Sequence, residues 1–451
     1  MGHKKLTATP SSVQPIRQYK CSGFHRISYS WESLAMSSSL VESPRTFGDM
    51  MRMPVRFYKT IGEDIYAHRS TNELTSLLLK IYLYAGFINF NLLVCGELVF
   101  FYKSIQDFET VRLAIAVAPC IGFSLVADFK QLTMVVYKKT LIQLLDELEE
   151  MHPKTLLAQK AYKMADFERT MKRVISIFTF LCLAYTTTFT LYPAVKATVK
   201  YNFLGYETFD RNFGFLIWFP YDATSRNWVY WITYWDIAHG AYLAGIAFLC
   251  ADLLLVVVIT QLCMHFSYIS GRLEAHPCDP DQDEENLSFL CSMIKYHDKC
   301  LTLCEHVNKM YSFSLLLNFL MASMQICFIA FQVTESTIEV ILIYCIFLMT
   351  SMVQVFLVCY YGDALIAASE RVGDAAYNQN WFQCSKRYCI MLKLMIMRSQ
   401  KPAMIRPPTF PPISLVTYMK GLSMPTYIYV YCWHCQSSAS LMMSATHFDN
   451  I

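Results

Sequence analysis

The stretch YWDIAHGAYLAGIAFLCADLLLVVVITQLCM, residues 234–264, decides the fold of this chain. It contains no lysine or arginine, and its acidic side chains are confined to Asp236 and Asp252. A helix of about 20 mostly apolar residues is long enough to cross the roughly 30 Å hydrocarbon core of a bilayer. This longer stretch therefore predicts a membrane-spanning helix.

Apolar runs of comparable length recur on both sides of it, at residues 77–102, 111–137, 174–195, 313–333 and 338–360. Near the C-terminus a short apolar run at 388–397 is followed by a second run at 413–431. Between these two runs lie prolines at 402, 407, 408, 411 and 412, and proline cannot continue a helix. We therefore predict an all-α polytopic membrane protein with seven transmembrane helices, the last one split by a Pro-rich break.

The composition agrees with a membrane protein and excludes several classes of function. Of the 451 residues, 55% are hydrophobic and 16% are charged, whereas a soluble protein carries roughly 25% charged residues. The net charge of +3 is too small to indicate a nucleic-acid partner. The sequence has no Gly-rich phosphate loop, HExxH motif or nucleophile elbow. We expect neither an enzyme nor a bound cofactor.

Lysine and arginine are concentrated before the first run and after the second, fourth and sixth runs. These residues are Arg52, Arg56, Lys59, Arg69, Lys138, Lys139, Lys154, Lys160, Lys163, Arg169, Lys172, Arg173, Arg272, Lys295, Lys299, Lys309, Arg371, Lys386, Arg387, Lys393, Arg398 and Lys401. Basic loops stay in the cytoplasm. The pattern predicts a multi-pass membrane protein with a cytoplasmic N-terminus, which is opposite to a G-protein-coupled receptor; we expect it in the plasma membrane.

The basic segments also show helical periodicity. Apolar residues follow a spacing of three to four in the segment after the second run, as at Leu141, Leu144, Leu145 and Leu148. Amphipathic helices of this kind pack on one another or on partner subunits. We predict cytoplasmic anchor helices at about 138–173, 267–312 and 363–400.

The two ends of the chain differ from the region between them. Residues 1–50 include a Ser-rich segment without periodicity, which predicts disorder or an N-terminal extension. The predicted helical domain covers 51–424. Residues 425–451 begin at Pro425, which would interrupt the last helix, and form an atypical C-terminal tail.

A cluster of potential metal ligands occurs in HDKCLTLCEH, residues 297–306. On a helix, His297, Cys300 and Cys304 share a face, so metal binding is geometrically possible. The alternative is an amphipathic helix whose cysteines pack inward, and we favour it. CWHC at 432–435 has no second pair of ligands at the usual spacing, so no metal site is predicted.

The segment 213–234 is rich in aromatic residues and lies on the predicted outer side. It is either an interfacial aromatic belt or a lid over a pocket that opens outward. Polar groups at membrane depth, among them Glu97 and Asp236, contact a ligand or water or make hydrogen bonds between helices. Candidate ligand-binding residues in the outer halves of the runs are Phe180, Tyr185, Thr188, Trp235, His239 and Tyr344.

The C-terminal third resembles the insect odorant receptor family. The resemblance is carried by YYGDALIAASERVGDAAYNQNWF (360–382), MLKLMIMRSQKPAMI (391–405) and ISLVTYM (413–419). Weaker matches are MIKYHDKCLTLCEHVNKMYSFSLL (293–316), WFPYD (218–222) and RFYKTIGEDIY (56–66). The family motif, which we interpret as structural, includes Tyr377, Trp381, Arg398, Ser399, Gln400, Lys401 and Pro402.

This resemblance implies an odorant-tuning subunit of a ligand-gated, non-selective cation channel. Such subunits assemble with a shared co-receptor into a hetero-oligomer, a tetramer, in the membrane of sensory neuron dendrites. A small volatile organic ligand binds in the outer half of the bundle, and the last helix lines the pore. Carried over without gaps, the gate positions fall near Tyr431 and Cys435.

Two alternatives remain open from the sequence. A gustatory receptor of the same superfamily carries Thr-Tyr followed by Gln-Phe in the last helix; Thr417 and Tyr418 are present here, but no Gln-Phe follows. A secondary transporter is the other alternative, although the chain shows no internal repeat.

Overall fold

The computed structural model describes residues 43–66, 73–106, 110–206, 208–335, 338–408 and 410–420. Throughout these residues, every regular element is a helix. The helices are α1 Phe47–Thr60, α2 Glu73–Ile105, α3 Val111–Val136, α4 Lys138–Met151, α5 Leu156–Ala161, α6 Met164–Phe203, α7 Asn227–Glu274, α8 Asp283–Glu335, α9 Ile338–Tyr377 and α10 Lys386–Ser399. The prediction of an all-α polytopic protein is therefore confirmed.

Six helices, α2, α3, α6, α7, α8 and α9, are long and apolar enough to cross a membrane. They coincide with the six longest apolar runs of the sequence. Many of their large apolar side chains are exposed, as at Leu78, Ile88, Leu92 and Leu342, where lipid tails can cover them. Helix α7 differs because 83% of its most apolar 18-residue stretch is buried, which places this helix at the centre of the bundle.

The prolines interrupt the seventh element as predicted. Helix α10 ends at Ser399, residues 401–408 and 410–414 are not helical, and helix resumes at 415. The Ser414 hydroxyl accepts from the Thr417 N–H (3.4 Å), which caps the new helix. The remainder of the predicted run 413–431 lies largely outside the described residues, as do Pro425 and the gate candidates Tyr431 and Cys435.

Helix α1 begins before residue 51, the predicted start of the folded domain. Thr46 and Asp49 form a capping box, in which the Thr46 hydroxyl accepts from the Asp49 N–H and the Asp49 carboxylate accepts from the Thr46 N–H. The Thr46 N–H and the Thr46 hydroxyl both donate to the Asp49 carboxylate (2.9 Å each), and these two hydrogen bonds lower the pKa of Asp49. Phe47 and Met50 are buried in the main core, so the folded region includes the last residues of the predicted extension. Residues 1–42 are outside the described part of the chain.

The long helices continue well beyond the lipid-spanning length. Helix α7 has 48 residues, α8 has 53 and α9 has 40. At the basic end of the bundle, α4 packs on α8 and α10 packs on α8 and α9. Leu141, Leu144, Leu145 and Leu148, which the sequence placed on one face, are the buried residues of α4.

Candidate functional site

A small apolar cavity of about 40 Å³ lies between α2, α3, α6 and α7. The segment between α6 and α7 contributes Phe215 and Ile217 to its wall. The other lining residues are Phe90, Leu93, Val94, Glu97, Cys120, Phe123, Ser124, Tyr185, Thr186, Phe189, Ile237, Gly240, Ala241 and Ala244.

A second cavity of about 20 Å³ shares Phe123, Tyr185 and Thr186 with the first and extends toward α8 and α9. Tyr185 stands between the two cavities. Its ring stacks on Phe347 of α9, with centroids 4.7 Å apart and planes at 11°. Phe123 lies edge-on to Tyr185 at 6.3 Å. These aromatic contacts are worth about 0.5–1.5 kcal/mol each beyond area burial, and they connect the wall of the cavities to α9.

The polar group that distinguishes the first cavity is the Glu97 carboxyl. Glu97 is 4% exposed and its Oε2 accepts from the Ser124 hydroxyl at 3.5 Å, the limit for a hydrogen bond. Of the described residues that line the cavity, Glu97 alone carries a carboxyl group. The sequence indicated Glu97 as a polar group at membrane depth without placing it among the ligand candidates.

The segment between α6 and α7 lies directly on α2. The Trp218 N–H donates to the Gly96 carbonyl (3.1 Å), and the Lys103 ammonium lies 4.3 Å from the centroid of the Trp218 ring. A Cβ atom at Gly96 would lie 2.6 Å from Ile217 Cγ2, so the contact needs glycine. This arrangement fits the lid interpretation of the aromatic segment.

The same segment makes a turn at Asp222, within the WFPYD motif. The Asp222 carboxylate accepts from the Thr224 N–H (3.0 Å) and the Thr224 hydroxyl (2.8 Å). These two hydrogen bonds lower the pKa of the exposed Asp222 carboxyl. The turn directs the chain into α7.

A buried polar network joins four helices beside the second cavity. Lys130 of α3 and Asp252 of α7 form an ion pair at 2.7 Å, with each side chain 2% exposed. Gln354 of α9 also donates to Asp252 (2.9 Å) and accepts from Asn318 of α8 (3.1 Å). The Lys130 ammonium lies 3.7 Å from the ring centroid of Phe248, which lines the second cavity. The network thus lies in contact with the cavity wall.

The structure brings together only part of the set of ligand candidates. Tyr185 lines both cavities. Tyr344 packs on the cluster formed by Tyr185, Ile329 and Phe347. Phe180 and Trp235 point away from the cavities, with exposed fractions of 70% and 69%.

The remaining candidates, Thr188 and His239, are not among the residues that line the two cavities. Thr188 is half-buried on α6. His239 is exposed, and its Nε2 shares a hydrogen bond with the Tyr82 hydroxyl of α2 (3.1 Å). Asp236 accepts from Asn89 of α2 (3.0 Å). For His239 and Asp236, the geometry therefore shows hydrogen bonds between α2 and α7.

The family-motif residues hold α9 and α10 at the basic end of the bundle. The Trp381 indole N–H donates to the Tyr377 carbonyl (3.1 Å), and Arg398 donates to the Lys401 carbonyl (2.9 Å). Ser399 is buried and its Cβ lies opposite Gly373 of α9. Gln400 caps the C-terminus of α10, and Lys401 and Pro402 begin the break that follows.

The cysteines of the possible metal cluster pack inward, which is the alternative that we favoured. Cys300 and Cys304 are buried in the main core, and His297 lies edge-on to the ring of Phe266 at 5.9 Å. In the part of the chain that the structure describes, no three His, Cys, Asp or Glu side chains are grouped to hold a metal ion.

Long apolar helices packed around two small apolar cavities define a polytopic membrane protein. Residues 110–425 match the family model described as 7tm Odorant receptor. The chain belongs to the odorant receptor family. This assignment confirms the resemblance found in the sequence and favours it over a gustatory receptor or a secondary transporter.

Curated relatives and solved structures agree with this assignment. The chain is 80% identical to Odorant receptor 67c of Drosophila melanogaster over 86% of this chain and 96% of that one. It is 51% identical to Putative odorant receptor 92a of the same species, over 84% of this chain and 93% of that one. The fold is similar to that of olfactory receptor OR5 from Machilis hrabei, with a TM-score of 0.71, 16% identity and coverage of 85% and 99%. The same receptor in complex with eugenol gives a TM-score of 0.73 at 15% identity.

Proposed function

We propose that this chain is the odorant-tuning subunit of a cation channel, and that a volatile ligand binds in the two cavities that meet at Tyr185. The observation that carries the proposal is the position of Tyr185, which lines both cavities and stacks on α9. The similar OR5 receptor, solved with eugenol, supports a small volatile as the ligand. The channel assembles with a shared co-receptor in the dendritic membrane of sensory neurons, as a heterotetramer.

Helix α9 supplies a physical route from the ligand to the pore. Phe347, on the cavity side, and Gly362 lie on the same continuous helix. A Cβ atom at Gly362 would lie 2.5 Å from the carbonyl oxygen of Ile413, where the chain enters its last helix. A ligand that binds more tightly when α9 is displaced shifts the population toward the open pore. The last helix lines that pore, with Tyr431 and Cys435 near its gate.

The helices at the basic end supply the proposed contacts between subunits. They include the predicted anchor segments at about 138–173, 267–312 and 363–400, which lie on one side of the membrane by the distribution of basic residues. Together with residues 51–424 as the receptor domain, they complete the proposed organisation of the chain.

The test is electrical recording from cells that express this chain together with the co-receptor. We expect volatile-evoked, non-selective cation current that is absent from cells with either subunit alone. Replacing Tyr185 with Leu should raise the half-maximal ligand concentration at least tenfold, because the aromatic contacts with Phe123 and Phe347 are lost. Phe180→Leu is the matched control on the same helix, and its response should equal that of the unmodified channel.

Surface labelling separates failed function from failed expression. A surface-expressed channel that no volatile in a broad panel opens would contradict the proposed function. Equal losses in Tyr185→Leu and Phe180→Leu would contradict the proposed ligand site.

A further inference from the structure

We propose that Glu97 selects ligands that carry a neutral hydroxyl group, by accepting a hydrogen bond from that hydroxyl inside the first cavity. This inference rests on the proposed function, because it names the ligand chemistry of the same site. It assigns to Glu97 a role in specificity that is separate from the aromatic contacts of Tyr185.

The carboxyl group of Glu97 has apolar surroundings. Glu97 lies on α2 within a wall that includes Phe90, Leu93 and Val94. In such surroundings, a polar group without a partner is destabilising, and buried polar groups are therefore nearly always hydrogen-bonded. Among the described residues, the Ser124 hydroxyl is the one group that donates to Glu97, at the long distance of 3.5 Å. The carboxyl group has acceptor capacity left, and the cavity is the space that it faces.

A carboxyl group presents oxygen lone pairs in either protonation state, so a hydroxyl group on the ligand finds an acceptor. A ligand of the same shape without a donor leaves this acceptor without a hydrogen bond. A site built to bond a substrate hydroxyl rejects the analogue that lacks it far more strongly than a purely apolar pocket rejects a change of shape.

The apolar lining of the cavity favours a neutral ligand over a charged one. The other lining side chains are mostly apolar or aromatic, and a cation must lose its hydration to enter such a cavity. A neutral alcohol loses much less hydration free energy when it enters the cavity. We therefore assign the site to hydroxyl compounds, and amines become an arm of the test.

The experiment compares matched ligands on the co-expressed channel. Primary alcohols of four to eight carbons are each paired with the alkane in which a methyl group replaces the hydroxyl, and with the corresponding primary amine. We expect the half-maximal concentration of the preferred alcohol to be at least tenfold lower than those of its alkane and its amine.

Three variants then assign the discrimination to a side chain. Glu97→Leu, which keeps the site apolar and close in size, should reduce the alcohol preference over the alkane to less than threefold. Glu97→Gln retains an acceptor oxygen and should keep most of the preference. Val94→Ala, in the same wall and one turn away, should shift alcohol and alkane concentrations by the same factor.

Each result is decisive. If alcohols are no better than alkanes on the unmodified channel, if amines are better than alcohols, or if Glu97→Leu retains the full preference, the inference is overturned. If no volatile opens the surface-expressed channel, the proposed function itself fails, and the inference fails with it. Current evoked by other volatiles, with all alcohols inactive, overturns the inference alone.

Discussion

At the residue scale, helical phase decides which side chains face the ligand space. Along α6, the buried residues Phe178, Cys182 and Tyr185 follow the spacing of three to four that one helix face requires. Phe180 lies two positions after Phe178, on the opposite face, and is exposed. The spacing of apolar residues along α6 shows which residues share a helix face. The sequence alone therefore indicates that Tyr185 and Phe180 lie on different faces.

Gly96 allows the lid, the aromatic segment between α6 and α7, to lie close to α2. In Gly96→Ala, the added methyl group would lie 2.6 Å from Ile217 and 2.9 Å from the Trp218 carbonyl oxygen, so the lid must shift. We expect the half-maximal ligand concentration to rise at least tenfold, with normal surface expression. Dose–response recording checks this.

Gly48→Ala is the matched control for that change. Gly48 lies in α1, where an added Cβ would meet only Thr46 Oγ1 at the ordinary contact distance of 3.7 Å, and alanine favours a helix over glycine. Its dose–response curve should match that of the unmodified channel. A Gly96→Ala curve that also matches would show that the lid contact does not influence binding.

The buried ion pair makes a prediction about stability. Lys130→Met leaves Asp252 buried without its cation, and breaking such a pair destabilises a protein by about 3–5 kcal/mol. We expect a clear fall in the melting temperature of the detergent-solubilised protein. The double variant Lys130→Met with Asp252→Asn keeps an acceptor for Gln354 and should recover much of the loss. A double variant no more stable than Lys130→Met would refute the ion-pair explanation.

At the element scale, the length of an apolar run identifies a membrane span but underestimates the length of the helix that contains it. The run 234–264 predicted a crossing, and α7 extends over Asn227–Glu274 because amphipathic turns continue the helix at both ends. The C-terminal turns, residues 265–274, contain too many polar residues for a hydropathy pattern to assign them to a span. Their stability comes from packing on neighbouring helices. The cavities likewise could not be predicted from the sequence, because they depend on how four helices are positioned.

Helix α1 illustrates packing that the sequence did not reveal. Phe47 is 3% exposed in the main core, on a helix that packs against α7. Phe47→Ala should lower the free energy of unfolding by about 3–5 kcal/mol, the usual effect of removing a buried aromatic ring. Thermal melting of the solubilised protein measures this.

Arg52→Ala provides the comparison within α1. Arg52 is exposed, and surface substitutions usually change stability by less than about 0.5 kcal/mol. Equal melting temperatures for Phe47→Ala and Arg52→Ala would show that α1 is not anchored in the core.

At the scale of the whole molecule, the family could be recognised from the sequence because its motif lies on the helices that hold the basic end together. Trp381 bonds to the last residue of α9, Ser399 of α10 packs on Gly373 of α9, and Arg398 bonds to the chain just after α10. The ligand site carries no such motif, since an apolar cavity can be lined by many combinations of side chains. Fold and family were therefore predictable, whereas the lining of the cavity required the structure.

We propose that the ligand binds between the helices at Tyr185 and acts through α9. An electron cryomicroscopy map of the channel formed with the co-receptor, prepared with and without a saturating volatile agonist, tests this site directly. We expect agonist density bounded by Phe123, Tyr185 and Glu97, together with a displacement of Phe347. Agonist density elsewhere, for example on the exposed faces that carry Phe180 and Trp235, with these cavities unchanged, would contradict the proposed site.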